Sequence, residues 1–209
     1  MSDQRTPEWF SQRAGKVTAS CIADLMATTR SGPSASRANY MAKLVAERLT
    51  GEVEQGFTSA AMQHGIDTEA EAREAYAFLH NATVIEVGFC PHPSIAMAGA
   101  SPDGLVGDDG LVEIKCPTTA THIASLRGGS IPEKYVKQMM FQMACTGRQW
   151  CDFASYDPRL PVEMRLHVQR LHRDDAMVSE IEAAVTQFLA EVDATVADLS
   201  DRYMKEAAE

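Results

Sequence analysis

Residues Ser101 to Pro117 read S-P-D-G-L-V-G-D-D-G-L-V-E-I-K-C-P. Pro102, Asp103 and Gly104 are turn formers, and the run from Leu111 to Cys116, rich in Val, Ile and Leu, is predicted to be a β-strand. Side chains alternate along a strand, so Glu113 and Lys115 share one face while Ile114 points to the opposite, buried one. With Asp103 on the preceding turn, its carboxylate can meet that of Glu113, and paired carboxylates are what a hard Mg²⁺ ion prefers. The carbonyl of Ile114 is a candidate further oxygen ligand. Beside a divalent cation and a phosphate, Lys115 can orient or deprotonate a water, or stabilise charge on the scissile phosphate. The pattern points to metal-assisted phosphodiester hydrolysis.

An acidic residue two places before a lysine arises easily by chance. The residues two before the six lysines are Ala14, Met41, Glu113, Pro132, Tyr135 and Tyr203, so the acidic match falls only on this strand, ten residues after Asp103. The ordinary alternative is a surface Glu and Lys flanking a buried Ile.

Outward from this stretch, helices precede strands. The first helix is predicted from a Thr18 or Ser20 cap to about Ala27, after which Ser31 to Ser36 forms a short loop. The second runs from about Ala35 to Leu49 and ends at Gly51. A third, Ser59 to about Leu79, places Met62, Ile66, Tyr76 and Leu79 on an apolar face. Strands are expected at Thr83–Cys90, Ile95–Gly99, Leu111–Cys116, Gln149–Tyr156 and Glu163–Leu171, with a helix at Ile131–Thr146 among them. Met177, Ile181, Val185, Phe188, Val192, Val196, Leu199 and Tyr203 form one stripe of a long C-terminal amphipathic helix. The fold class is α/β, a mixed sheet flanked by helices, in a single domain spanning residues 1–209.

Composition excludes several classes. With 45% hydrophobic residues in 209, the chain can bury a full core and is not disordered, and no apolar run approaches the length of a bilayer span. The N-terminal stretch has no apolar signal region, so a cytoplasmic protein is expected, and the five cysteines, without C-x-x-C spacing, are expected to be reduced thiols. The net charge of −10 is uneven. Asp174 to Glu209 carries ten carboxylates against Arg202 and Lys205, a net of −8, leaving −2 for the rest. Arg13 to Arg48 has a net of +4 and Thr118 to Cys151 a net of +3, two basic segments expected to line one groove. The acidity is that of a solvated helix face, or a surface that repels DNA from the outside.

S-P-D-G-L followed by L-V-E-I-K-C-P resembles the core motif of the PD-(D/E)XK nucleases, and specifically the lambda exonuclease or YqaJ-type viral recombinase family. The segments W-F-S-Q-R-A-G-K-V-T-A-S, H-G-I-D-T-E-A-E-A-R, Y-V-K-Q-M-M-F-Q and A-S-Y-D-P-R match that family in order, from about Trp9 to Arg159. The resemblance implies a restriction-endonuclease-like core. It also implies that Asp103, Glu113 and the Ile114 carbonyl hold the metal, Mg²⁺ or alternatively Mn²⁺, and that Lys115 is the catalytic lysine. Glu69 would complete the metal site, its plainer role being an i,i+4 pair with Arg73. Gln138 matches the family's active-site glutamine. Arg13, Ser20 and Ser101 match a pocket for the 5′-phosphate of a DNA end, although Ser20 can equally be a helix cap. Arg30 falls in a loop that contacts the duplex, and Met62 where the family has an apolar wedge, its plainer role being core packing.

The activity so implied is 5′ to 3′ digestion of double-stranded DNA ends, leaving 3′ single-stranded tails for a phage annealing protein in the bacterial host cytoplasm. A homotrimeric ring around the DNA is part of that expectation. Two alternatives keep other functions open: an endonuclease or junction resolvase with the same core, and a non-catalytic DNA-end-binding scaffold. The chain departs from the family at T-T-A-T-H-I after Pro117, which lacks an arginine, leaving Thr121 or His122 to substitute, and at His64, where the relative has Trp.

Overall fold

The computed structural model describes residues 4–30, 32–53 and 59–204. Ser31, the start of the short loop read from sequence, lies outside them, as do Lys205, Glu206 and Glu209 of the acidic segment. In chain order the elements are helix α1 (Pro7–Arg13), strand β1 (Val17–Thr18), a 3₁₀ turn (Ala19–Cys21) continuing into α2 (Ile22–Leu25), β2 (Thr28–Thr29), β3 (Gly32–Pro33), α3 (Ala35–Thr50) and α4 (Ala60–His80). There follow β4 (Val84–Ile85), β5 (Cys90–Pro91), β6 (Ala98–Ala100), β7 (Gly104–Val106), β8 (Gly110–Lys115), α5 (Thr119–Leu126) and α6 (Glu133–Thr146). The chain continues through β9 (Trp150–Tyr156), a 3₁₀ turn (Val162–Met164), β10 (Leu166–His172) and α7 (Asp175–Tyr203).

β8 is the middle of a five-stranded sheet ordered β10-β9-β8-β7-β4, antiparallel except for the parallel β8–β9 pair. A second sheet, β1-β6-β5, pairs β1 parallel to β6, and β2 and β3 form a separate hairpin. Helices cover both faces of the main sheet. On one side lie α6 and α7, whose Met139, Met143, Phe188 and Val192 share one buried apolar cluster with Leu111, Cys151 and Phe153. On the other α4 lays Ala72 and Tyr76 over Val112, Ile114 and Ala154. β8 thus presents Leu111, Glu113 and Lys115 to the first side and Val112 and Ile114 to the second.

Local chemistry explains the helix limits. Ser34 and Ser59 cap α3 and α4 with their hydroxyls, and Gly51 ends α3 with a left-handed φ of 72° that a side chain would oppose. Asp174 caps α7 through Ala176 N and Met177 N, and Ile181, Val185, Phe188 and Val192 are fully buried beneath it. Each such side chain contributes at most about 1.5–3 kcal/mol.

The structure corrects several expectations. α1 was not anticipated from the sequence, because it buries no side chain completely; Thr6 caps it and Pro7 opens it. The predicted strand Thr83–Cys90 is two short pieces in different sheets, separated by a segment containing Gly88, a residue that weakens a strand. The buried face of α4 is Thr68, Ala72 and Tyr76, the first two small enough to admit a close approach to the sheet, while Met62 and Leu79 are exposed. Neither Thr18 nor Ser20 caps the first helix, and Thr18 lies in β1 with its N–H donated to Tyr40 Oη.

Four cations of the two basic segments are already engaged within the fold. Arg37 pairs with Glu191 at 2.9 Å and Arg48 with Asp193, both on α7. Arg148 donates to the carbonyls of Val106, Gly107 and Gly110, and Lys137 pairs with Glu133 at 2.7 Å. All five cysteines are free thiols. No helix among the described residues is long and apolar enough to cross a membrane.

Candidate active site

β7 and β8 pair from Gly110–Val106 to Val112–Gly104. Continued by one residue, the register would set Asp103 opposite Glu113, and here the strands part. The opening is closed by a side chain: Asp103 Oδ2 accepts from Ile114 N at 2.7 Å. Because a strand residue's N–H and C=O point to the same edge, the Ile114 carbonyl also faces the Asp103 side.

Glu113 is completely buried beneath α6 rather than on an open face. Its Oε1 accepts from Gln138 Nε2 at 2.6 Å and pairs with Lys115 Nζ, and its Oε2 accepts from Gln142 Nε2 at 2.6 Å. Lys115 keeps 28% of its side chain exposed, so it marks the solvent side of this group, and its ammonium also lies over the Tyr135 ring.

The electrostatics favour an added positive charge. Burial first, and then the charge of Glu113, push the Asp103 carboxyl well above the usual carboxylate range; Lys115 and the Ile114 N–H only partly offset this. Burial opposes charge on Lys115, but Glu113 and Asp103 outweigh it and hold the ammonium firmly protonated. Among the described residues no three His, Cys, Asp or Glu side chains converge as a metal cluster. Two carboxylates and a carbonyl nevertheless fit Mg²⁺, which keeps several waters and takes its remaining ligands from substrate phosphate. They do not suit Zn²⁺, which favours sulfur and nitrogen.

Glu69 is not bonded to these carboxylates. It is held by Arg73 at 2.7 Å and by Arg5 at 2.7 Å, so the i,i+4 pair is formed. It stays near, since its charge helps to raise the carboxyl of Asp103 and the Cys116 thiol. Arg73 Nε reaches the Asp103 carbonyl at 3.3 Å, tying α4 to the S-P-D-G turn.

A second cluster adjoins the first. Ser101 Oγ accepts from Arg13 at 3.1 Å and from Trp9 Nε1 at 2.9 Å, and the Arg13 guanidinium lies 4.1 Å from the centre of the Trp9 ring. The parallel β1–β6 pair, with Thr18 across from Gly99, sends Ser20 and Ser101 out of the sheet at the same end. Ser20 is exposed, its hydroxyl 3.4 Å from Thr18 Oγ1. Arg30 is exposed at the tip of the β2–β3 hairpin, and Met62, 57% exposed on the first turn of α4, is not core.

His122 does not replace the missing arginine on any surface. It is fully buried, donating from Nε2 to the Met164 carbonyl and accepting at Nδ1 from Ser155 Oγ, each at 2.8 Å. His64 is half-buried, with Nδ1 3.4 Å from Thr68 Oγ1. Trp9, Arg73 and Gln142 lie in segments that match the family but were not read as site residues from the sequence. Gln142, one turn after Gln138 in an otherwise apolar run, carried the one signal that could have been found: a polar side chain at a core position.

The sequence matches the family model described as YqaJ-like viral recombinase domain over residues 8–149. No curated protein gives a match. Among solved structures, the alkaline exonuclease LHK-Exo from Laribacter hongkongensis is 53% identical, with a TM-score of 0.89 over 96% of this chain and 99% of that one. The same protein in complex with dAMP matches equally well. A phage-related exonuclease from Haemophilus somnus shares the fold, with a TM-score of 0.68 at 13% identity over 88% of this chain and 96% of that one. The Asp103–Glu113–Lys115 cluster lies inside the matched region, and the chain belongs to the family of YqaJ-like viral recombinase domains.

Proposed function

We propose that the protein is a Mg²⁺-dependent 5′ to 3′ exonuclease on double-stranded DNA ends, with Mn²⁺ able to replace Mg²⁺. The observation that carries this reading is adjacency. A carboxylate pair with a protonated lysine lies one residue, Pro102, away from a hydroxyl that Arg13 and Trp9 share. The 53% identical alkaline exonuclease, also solved with dAMP, supports both the exonuclease activity and a mononucleotide product.

Asp103, Glu113 and the Ile114 carbonyl would hold the cation, which when bound supplies charge neutralisation at the phosphate and a more acidic water. Lys115, held as an ammonium, stabilises the charge that builds on the scissile phosphate. Gln138 keeps Glu113 Oε1 in place, and Glu69 adds negative charge while anchored by Arg73. Arg13, Ser101 and Ser20 receive the 5′-phosphate, Arg30 meets the duplex backbone, and Met62 stands where terminal bases part.

The product is a 3′ single-stranded tail for a phage annealing protein in the bacterial cytoplasm. Assembly as a homotrimeric ring rests on the family resemblance; mass measurement in solution tests it.

The decisive experiment is digestion of a linear duplex labelled on each strand, with and without a 5′-phosphate, beside a closed circle. Loss of the 5′ strand alone, faster with phosphate, abolished by EDTA and absent on the circle, is expected. Cutting of the circle would establish an endonuclease instead. Metal-independent end binding without cutting would establish a scaffold.

A further inference from the structure

Gln142 is completely buried on α6 between Phe141 and Met143, in a run from Met139 to Cys145 that is otherwise apolar and buried. Its Nε2 donates to Glu113 Oε2 at 2.6 Å, while its Oε1 is buried without a hydrogen-bond partner. An unpaired buried acceptor is destabilising, and the apolar run around it would be as well packed by a methionine of similar shape. The glutamine is therefore explained by what its amide N–H groups do.

The two oxygens of Glu113 have different surroundings. Oε1 meets Lys115 and Gln138 on the side where Lys115 reaches solvent, and Oε2 meets Gln142 in the interior. The terminal torsion of a glutamate is broad and does not fix itself. A donor rigidly packed behind Oε2 fixes the carboxylate plane and leaves Oε1 as the oxygen on the open side.

We infer that Gln142 is a positioning residue that locks Glu113 so that only Oε1 is presented to a divalent cation. This rests on the reading of Asp103 and Glu113 as the cation site.

Mn²⁺ binding to the full-length protein, followed by the spin-resonance signal of the free ion, tests it alongside thermal unfolding without metal. Gln142→Met is expected to weaken Mn²⁺ binding about 10- to 100-fold. Its metal-free melting temperature should fall by no more than a few degrees, because the lost bond to Glu113 is partly offset by removing the unpaired Gln142 Oε1, and DNA-end binding in EDTA, which does not need the locked carboxylate, should stay within about twofold of wild type. Unchanged Mn²⁺ affinity would overturn the inference, as would a fall in melting temperature with affinity intact. Should Gln142→Met not fold, Gln142→Ala takes its place, with weaker Mn²⁺ binding expected and unchanged affinity counting against the inference. Failure of both variants to fold would assign Gln142 a structural role and overturn it. If wild type binds no Mn²⁺, or Asp103→Asn binds it as wild type does, the cation-site reading itself has failed.

Discussion

Arg73 and Glu69, one turn apart on α4, form a 2.7 Å ion pair whose guanidinium also reaches the Asp103 carbonyl at 3.3 Å and Glu86 at 2.9 Å. One side chain thereby fixes the S-P-D-G turn to the helix behind it. Arg73→Ala is expected to slow hydrolysis at least about tenfold by loosening Asp103, as loss of an outer-shell partner does. DNA-end affinity should be nearly unchanged. Removing hydrogen bonds to charged groups should also cost about 1.5–3 kcal/mol, lowering the melting temperature by several degrees. Arg73→Lys keeps the charge without the fork and should recover stability more than rate. Single-turnover rates and melting curves check this.

Arg13 gives a second test. Arg13→Ala removes charge-assisted hydrogen bonding worth about 1.5–3 kcal/mol, so hydrolysis of 5′-phosphorylated ends should fall about 10- to 100-fold. Ends bearing a 5′-hydroxyl should be cut as by wild type. An equal loss on both substrates would mean that Arg13 serves only to hold Trp9 and Ser101.

Asp157 makes stability depend on acid. Burial would raise its carboxyl, but hydrogen bonds from Arg159 and Thr119 prevail and bring it down to about 2. A carboxyl lowered on folding stabilises the protein above its unfolded value of about 3.9. That contribution is lost as pH falls through about 2. Urea unfolding from pH 5 to 2 should show wild type losing stability more steeply than Asp157→Asn, which begins lower and changes less.

Gly110 lies under the Trp150 indole, where an added Cβ would come within 2.1 Å of the ring. The ring cannot readily move, because Arg170 stacks 3.6 Å from its centre while bonding both oxygens of Asp152. Gly110→Ala should therefore destabilise by about 1–3 kcal/mol or more. Trp150→Leu in the same chain should restore much of this, as a melting-curve comparison would show.

The stretch from Ser101 to Pro117 was legible because its information is local. Turn residues around Asp103 and the alternation of Leu111 to Lys115 need no partner to be read, and both are formed. The second helix and α7 were equally plain from their caps and apolar stripes, and the third from its Ser59 cap, although its buried face was not. The rest was hidden because it depends on distant partners. No local pattern reports that Trp9 reaches Ser101, or that Arg37 and Arg48 pair with carboxylates of α7. The burial of Glu113 needs α6 to lie over β8, and only then does Gln142 acquire a meaning. His122, with its ring spent between Ser155 and Met164, likewise looked available until its neighbours were in place.

Pro102 is buried between Ser101 and Asp103, and nothing else separates the proposed end-binding hydroxyl from the proposed cation ligand. Two extended residues span at most about 7 Å, while successive charges on one strand of a duplex advance about 3.4 Å along its axis. On the proposed reading, a terminus seated at Ser101 would meet the cutting centre within about two links of its own backbone. On that reading the covalent chain would act as a short ruler, and the stride would be set by its length rather than by any adjustable contact between moving parts.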